Sequence, residues 1–219
     1  MTAETSCPET SFTEVFTQAL RGEPTDLVDL DGQALRPLPV ADWTRAADAE
    51  DLDLLALCRG ATIDIGCGPG RLTVALSRLG HHALGVDVVQ EAVRLTRGGG
   101  GKALVADVFD MLPDEGRWQT ALLADGNVGI SGDPVRLLRR AAELIRPDGH
   151  VVVELAPPGT RSESGWAALQ GAAGRSRPFR WAWVSVDDVR PVAHAAGLHL
   201  ESTHALGRRW AAVLASGSS

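Results

Sequence analysis

The stretch Thr62-Ile63-Asp64-Ile65-Gly66-Cys67-Gly68-Pro69-Gly70-Arg71 decides how the rest of the chain is interpreted. It predicts a short buried strand, a tight glycine turn and a helix that begins near Gly70. Gly66 and Gly68 allow the backbone to approach a ligand closely, and the start of the helix offers unpaired N–H groups. The stretch therefore predicts a ligand-binding loop at the end of a strand.

The residues around the glycines indicate which kind of ligand the loop suits. A dinucleotide-binding loop of the form G-x-G-x-x-G has Gly or Ala at its sixth position, where this chain has Arg71. Asp64 precedes Gly66 by two residues, and its carboxylate would repel a pyrophosphate. A ligand with a positive head, such as an ammonium or a sulfonium, fits better. This pattern resembles motif I of the class I S-adenosylmethionine (SAM) dependent methyltransferases, acidic-x-G-x-G-x-G.

Acidic residues follow the next predicted strands at the spacing that this resemblance implies. The strands Ala83–Val86, Ala103–Ala106 and Ala121–Ala124 are followed by Asp87, Asp107 and Asp125. An acid about 20 residues beyond a glycine loop is placed to bind the two ribose hydroxyls, which assigns Asp87. The resemblance puts Asp107 beside the adenine amino group and matches Asp125-Gly126-Asn127 to motif IV. Loop capping is the alternative role for Asp87 and Asp107.

The predicted cofactor is therefore SAM, and the residues assigned to it lie in the loop and at the strand ends. They are Asp64, Gly66, Cys67, Gly68, Gly70, Arg71, Asp87, Val88, Asp107, Val108 and Asp125. Asp125 and Asn127 are expected where the methyl group leaves, and with Glu154 they are the candidate catalytic residues. Glu154 near the end of the fifth strand either faces the cleft or pairs with an arginine. Cys67 is interpreted as a small loop filler, since no general base is evident beside it.

The chemistry of methyl transfer limits what the sequence says about the acceptor. The reaction is an in-line displacement from an activated leaving group, so the protein mainly supplies alignment and a water-poor pocket. A general base is needed only for a poorly acidic acceptor. The stretch Asp125-Gly126-Asn127-Val128-Gly129 departs from the N-P-P-Y motif of amino-methylating nucleic-acid enzymes, which favours a small-molecule acceptor.

The chain is predicted to consist of a cap and a larger α/β domain. Residues 1–60 form the cap, with helical patterns over Phe12–Leu20 and Trp43–Leu57 and a hairpin between them that turns at Asp31-Gly32. Residues 61–219 form a doubly wound, seven-stranded, mostly parallel sheet of the Rossmann-like methyltransferase type, with a C-terminal antiparallel hairpin. The Gly-, Ser- and Arg-rich stretch 160–180 is predicted as a mobile loop or short helix.

Aromatic residues of the cap are expected to cover the ligand cleft. Phe12, Phe16 and Trp43 recur at helical spacing ahead of the α/β domain and would close over the cleft. Trp166, Trp181 and Trp183 are candidates to wall an apolar or aromatic substrate. Ordinary core packing is the competing interpretation for each of these side chains.

Composition narrows the class of protein. The 219 residues are 44% apolar and 22% charged, with a formal net charge of −7, which is typical of a soluble globular protein. No basic stripe for nucleic acid is evident, because Arg136, Arg139, Arg140 and Arg146 fit a solvated helix face. We expect no membrane partner, because no apolar run is long enough to span a bilayer.

The compartment follows from the N-terminus and the cysteines. Residues 1–14 lack the basic and apolar stretches of a secretory signal, and Cys7, Cys58 and Cys67 have no metal or redox spacing. We expect free thiols, no metal site and a cytoplasmic location.

The sequence therefore favours a cytoplasmic SAM-dependent methyltransferase that acts on a small molecule, with bacterial secondary metabolism as the expected context. One alternative is a SAM-binding protein of the same fold without methyl transfer, either cyclase-like or regulatory. A nicotinamide-dependent oxidoreductase is a second alternative, which Asp64 and Arg71 oppose. The acceptor atom and the oligomeric state stay open.

Overall fold

Strands and helices alternate along most of the chain, in a computed structural model that describes residues 9–172 and 174–216. The predicted thiol Cys7 lies outside the described residues. The helices are α1 (Phe12–Leu20), α2 (Val40–Thr44), α3 (Ala49–Leu55), α4 (Arg71–Arg78), α5 (Gln90–Gly98), α6 (Pro134–Leu144) and α7 (Val189–Ala195). The strands are β1 (Glu9–Thr10), β2 (Thr25–Val28), β3 (Ala34–Pro37), β4 (Thr62–Ile65), β5 (Ala83–Asp87), β6 (Ala103–Val105), β7 (Trp118–Leu123), β8 (Ile145–Leu155), β9 (Glu163–Gly171), β10 (Gly174–Ser176), β11 (Phe179–Trp183), β12 (Leu198–Leu206) and β13 (Arg209–Ser216).

The main sheet has seven strands in the order β12-β13-β8-β7-β4-β5-β6. The strands from β8 to β6 are parallel, and the β12–β13 hairpin closes one edge with antiparallel pairs. The predicted doubly wound sheet with a C-terminal hairpin is therefore confirmed. Because parallel strands end at the same edge, the residues that follow β4, β5, β6, β7 and β8 come together there.

Both faces of this sheet are buried. Ile63 and Leu123 pack with α6 and α7 on one face, while Leu122 and Val152 pack with α3 and α4 on the other. A strand covered on both faces tends to be a continuous apolar run, as in Ala121–Leu123 of β7 and Val151–Val153 of β8. The two-sided core fixes the sheet and leaves its carboxyl edge free to carry a site.

A second sheet, the capping sheet, corrects the prediction for residues 160–180. Its strand order is β1-β10-β9-β2-β3, and β11 also pairs with β9. The register places Leu27 opposite Leu169, so the N-terminal segment and the stretch after β8 form one layer. The predicted hairpin near Asp31 is confirmed as β2 and β3, whereas the predicted loop is three strands. Composition alone hid these strands because β9 and β10 also pair with β2 and β1, which lie far away in the sequence.

The helical pattern predicted over Trp43–Leu57 is also corrected, because it is broken between α2 and α3. Asp48 begins α3 with a reciprocal capping box to Asp51, which separates the two short helices. Among the helices in the described part of the chain, none is long and apolar enough to cross a membrane.

Candidate functional site

The glycine loop joins the end of β4 to the start of α4, at the carboxyl edge of the main sheet. Gly66, Gly68 and Gly70 have φ values of 72°, 53° and 92°, in the left-handed region that glycine adopts without strain. A Cβ at Gly68 would meet no atom within 4 Å, whereas one at Gly70 would lie 2.5 Å from Thr96 Oγ1. The loop therefore packs tightly against α5 at Gly70 and faces open space at Gly68.

Asp64, the acid of the predicted motif, is buried with 2% of its surface exposed. Its carboxylate accepts hydrogen bonds from Thr73 Oγ1, at 2.6 Å, and from the Thr73 backbone N–H. Burial, together with the nearby carboxylates of Asp125 and Asp87, raises the pKa of Asp64 to about 7. Asp64 thus holds the first turn of α4, and its contact with a cationic ligand group stays a prediction.

Asp87, at the end of β5, ties the glycine loop to the start of α5. Its Oδ2 accepts the Gly68 N–H at 2.9 Å, and its Oδ1 accepts the Val89 N–H at 2.8 Å. The residue is half-buried, and burial raises the pKa of its carboxyl group. A carboxylate has about four lone-pair sites, so Asp87 keeps about two for a ligand while it shapes the loop.

Cys67 fills space inside the loop, as the sequence predicts. The residue is buried, and its Sγ lies 3.9 Å from Thr96 Oγ1 on α5. Burial raises the pKa of the thiol well above its ordinary value. A buried, protonated thiol is a poor nucleophile, so this geometry favours a packing role.

The residues after β5 and β6 differ in how they meet the cleft. Val88 is 45% exposed beside Asp87, whereas Val108 is 5% exposed and belongs to the main core. Asp107 is exposed, and its Oδ1 accepts the Phe109 N–H at 3.0 Å. The side chains of Val88 and Asp107 are therefore accessible at this edge, while that of Val108 is buried.

Arg140 corrects the prediction that the arginines around α6 form a solvated face. Its side chain is 11% exposed and pairs with Glu115. It donates hydrogen bonds to the carbonyls of Val108, at 2.8 Å, and Asp110, at 2.7 Å. Arg140 therefore fixes the loop that carries Asp107.

Arg71 lies inside a group of charged residues rather than in open space. Its side chain is 4% exposed, its Nη2 lies 2.6 Å from both carboxylate oxygens of Asp125, and its Nη1 donates to Asp51. Asp125 has a φ of 52°, an uncommon conformation for a residue other than glycine. The guanidinium of Arg71 is held between two carboxylates, and the assignment of Arg71 to the cofactor stays a prediction.

Glu154 pairs with an arginine, which settles the alternative left by the sequence. Arg209 Nε lies 2.8 Å from Glu154 Oε1, and its Nη2 lies 2.5 Å from Oε2. The Asp125 backbone N–H donates to Glu154 Oε2 at 2.6 Å, and Arg209 also donates to Asp51. Asp51, Arg71, Asp125, Glu154 and Arg209 form a charge cluster. This arrangement favours a positioning role for Asp125 and Glu154, and their expected catalytic role stays a prediction.

Sequence reasoning missed Asp51 and Arg209, although each has a recognisable signal. Asp51 occupies the third position of the capping box that begins α3. Arg209 begins β13, and the pair Trp210–Leu155 places the start of β13 at the carboxyl end of β8. The first residue of an antiparallel strand therefore shares the functional edge with the last residues of its parallel neighbour.

Asn127 holds the glycine loop from the opposite side. Its Nδ2 donates to the carbonyls of Ile65, at 2.9 Å, and Gly66, at 2.8 Å. A Cβ at Gly66 would lie 2.7 Å from that same nitrogen, so only glycine allows this approach. The amide donors of Asn127 are used by the backbone, which favours a positioning role over direct catalysis.

Five aromatic side chains form a continuous row, and their role as a cover over the cleft stays a prediction. Phe16 stacks on Trp43 with centroids 5.7 Å apart and on Phe12 at 5.5 Å, and Phe12 meets Phe179 edge-on at 5.0 Å. The row continues to Trp181, 6.3 Å from Phe179.

The ends of this aromatic row show which part of the sheet it crosses. Phe12 and Phe16 pack against Val89, two residues after Asp87. At the other end, a Cβ on Gly129 would lie 2.7 Å from Trp181 Nε1. The row therefore runs along the carboxyl edge, from the segment after Asp87 to the turn that contains Asn127.

Residues 45–204 match a family model described as a methyltransferase domain. Over 105 residues, this chain is also 26% identical to the ubiquinone biosynthesis O-methyltransferase of Xylella fastidiosa strain M23. That match spans 45% of this chain and 43% of the relative, so the chain covers less than half of that protein's length.

Solved structures share the fold over nearly the whole chain. A SAM-dependent methyltransferase from Bacteroides fragilis in complex with S-adenosyl-L-homocysteine has a TM-score of 0.77 and 16% identity, over 98% of this chain and 100% of that one. The 1,6-didemethyltoxoflavin-N1-methyltransferase of Burkholderia thailandensis has a TM-score of 0.61 and 16% identity, over 100% and 99% of the two chains.

Proposed function

This chain belongs to the family of methyltransferase domains, and on that premise we propose that it transfers a methyl group from SAM to a small-molecule acceptor. The observation that carries the proposal is the contact between Asp87 and Gly68. One carboxylate both fixes the glycine loop and keeps lone pairs for two neighbouring hydroxyls, which is the arrangement that a nucleoside requires.

The residues at this edge fit a cationic nucleoside. Gly68 faces open space, Asp87 and Asp107 offer carboxylate oxygens, and Val88 offers an exposed apolar surface. When bound, SAM supplies a methyl group on a positively charged sulfonium, which is an activated leaving group. Acidic side chains attract that charge, whereas they would repel the pyrophosphate of a dinucleotide.

The protein's own contribution is alignment and exclusion of water. Asn127 fixes the carbonyls of the glycine loop, and the charge cluster holds Asp125 at the neighbouring strand end. The aromatic row shields the edge from solvent, which supports an in-line displacement. Such a reaction needs a general base only for a poorly acidic acceptor.

We further propose that the acceptor is a small molecule and that the reaction belongs to bacterial secondary metabolism. This proposal is supported by the likeness to a methyltransferase that was solved with 1,6-didemethyltoxoflavin bound, and by the net charge of −7, which is unfavourable for nucleic acid. The alternative is a protein that binds SAM without transferring its methyl group.

Two measurements test the proposal. Melting temperatures with SAM, S-adenosylhomocysteine and NAD should rise with the first two ligands only, because the acids of the cleft disfavour a pyrophosphate. Incubation with trideuteromethyl-SAM and a bacterial metabolite extract should then give a product with a CD3 label. Stabilisation by NAD alone would contradict the cofactor, and binding of SAM without any labelled product would favour the non-transferring alternative.

A further inference from the structure

A pocket of about 410 Å³ lies in the capping sheet, next to the aromatic row. Leu27, Leu35 and Trp183 contribute apolar surface to it, and Trp166 closes another side. The pocket is a space between packed residues, and the proposed cofactor residues Asp87 and Asp107 do not line it. The pocket is therefore a separate candidate site.

Two contacts place the pocket at the functional edge of the main sheet. Ser164, one of its lining residues, donates a hydrogen bond of 2.6 Å from its Oγ to the Gly132 carbonyl, in the segment that follows Asn127. Beyond Trp183 the chain forms a bridge between Ser185 and Ala156, directly after β8. The β9–β11 hairpin that lines part of the pocket is therefore anchored near the carboxyl ends of β7 and β8, where ligands of open α/β sheets bind.

The apolar surface of the pocket is unusually accessible. Trp166 and Leu35 are each 50% exposed. The Arg180 guanidinium lies 5.5 Å from the centroid of the Trp166 ring, so the indole is already oriented by a cation. Exposed indole faces at a concave site favour a flat ring that stacks on them.

The polar groups of the pocket add a charge pattern. Arg36 and Glu163 are both exposed at its rim, and within the described part of the chain neither forms an ion pair. Beside them, β9 pairs with β11 over Glu163–Ala167 but with β2 only over Ala168–Gly171. One backbone edge of β9 therefore remains available for hydrogen bonds at the pocket.

We propose that this pocket binds the methyl acceptor, and that the acceptor is a flat aromatic molecule with an anionic group for Arg36 and an N–H or O–H donor for Glu163. The role of this ligand as a methyl acceptor rests on the proposed methyl transfer. The ring, the anion and the donor follow from the pocket itself: an accessible indole stacks on the ring, the guanidinium pairs with the anion, and the carboxylate accepts the donor.

The probe 4-aminobenzoate carries all three features and tests the proposal without SAM. The six tryptophans give separate indole N–H signals in a nitrogen-15 spectrum, and Trp→Phe variants assign those of Trp166 and Trp183. We expect the probe to shift these two signals and to leave Trp118, which is 2% exposed in the main core, unchanged. Cyclohexanecarboxylate lacks the ring and aniline lacks the anion, so each should bind at least fivefold more weakly.

Arg36→Gln should weaken binding of 4-aminobenzoate about tenfold, whereas Arg190→Gln on the exposed face of α7 should not change it. Equal binding by Arg36→Gln, or equal shifts with cyclohexanecarboxylate, would overturn the proposal. Shifts of the same signals on dilution without probe would assign the pocket to a second copy and also overturn it. A chain that binds SAM but not the probe contradicts the acceptor pocket alone, and the reverse result contradicts only the proposed function.

Discussion

Arg209 holds both carboxylate oxygens of Glu154, with its Nε 2.8 Å from Oε1 and its Nη2 2.5 Å from Oε2. The pair joins the start of the last strand to the end of a central one. Because Glu154 also accepts the backbone N–H of Asp125, the C-terminal hairpin positions the turn that begins at Asp125. These contacts favour a positioning role for Glu154, which the sequence predicts to be catalytic.

Glu154→Gln should lower the free energy of unfolding by about 1–3 kcal/mol, because the amide cannot accept both arginine donors as a carboxylate does. Urea unfolding measures this change. Methyl transfer should keep the same pH profile, since Glu154 takes no proton in the reaction. Glu143→Gln is the matched control, because the Glu143 carboxylate is 58% exposed and its loss should change stability by less than about 1 kcal/mol. If the folded Glu154→Gln protein lost one limb of the pH profile of methyl transfer, Glu154 would be a catalytic residue.

Asn127→Ala should weaken SAM binding about tenfold, because the carbonyls of Ile65 and Gly66 lose their shared donor and the glycine loop relaxes. Calorimetry with SAM measures this effect. If Asn127 acts by positioning, the KM for SAM should rise more than kcat falls. A large fall in kcat with unchanged SAM affinity would instead indicate direct catalysis.

Asp64 should make stability depend on pH. Its pKa is about 7 in the folded protein against an ordinary value of 3.8, so the folded state keeps the proton longer than the unfolded state. Stability from this group is therefore greatest at low pH and falls as the pH rises from about 4 to about 7. When the pH rises from 5 to 8, the free energy of unfolding should fall in both proteins. In Asp64→Asn this fall should be about 2–3 kcal/mol smaller than in the parent protein.

Urea unfolding of both proteins at the two pH values measures this difference, and groups that titrate in both cancel in the comparison. Asp53→Asn, at an exposed position on α3, should behave like the parent protein. Identical pH dependence in the Asp64→Asn and parent proteins would contradict the raised pKa.

Phe16→Ala should speed the release of SAM about tenfold, since Phe16 links Phe12 to Trp43 in the aromatic row and packs against Val89. Stopped-flow displacement by S-adenosylhomocysteine measures the rate. Leu30→Ala, at a 52% exposed position in the β2–β3 turn, is the control. An unchanged release rate in folded Phe16→Ala protein would show that the ring is ordinary packing.

The glycine loop and the central strands were predictable because their signals are local. Strand β4 is a short buried stretch followed directly by the glycine loop, and Asp87 ends the next strand. The capping sheet was not predictable from composition, because Leu169 finds its partner Leu27 across most of the chain. The charge cluster was missed for the same reason, since a buried ion pair such as Arg209–Glu154 depends on tertiary contacts and leaves no periodic pattern.

Calorimetry of SAM binding to the parent and Asp87→Ala proteins shows whether Asp87 binds the ribose of SAM. We expect the parent to bind SAM and the variant to bind it at least about tenfold more weakly, since ribose loses charge-assisted hydrogen bonds and Gly68 loses its acceptor. Asp148→Ala, which removes a 73% exposed carboxylate, should bind as the parent does. Unchanged SAM affinity in a folded Asp87→Ala protein would contradict the assignment of Asp87 to the SAM site.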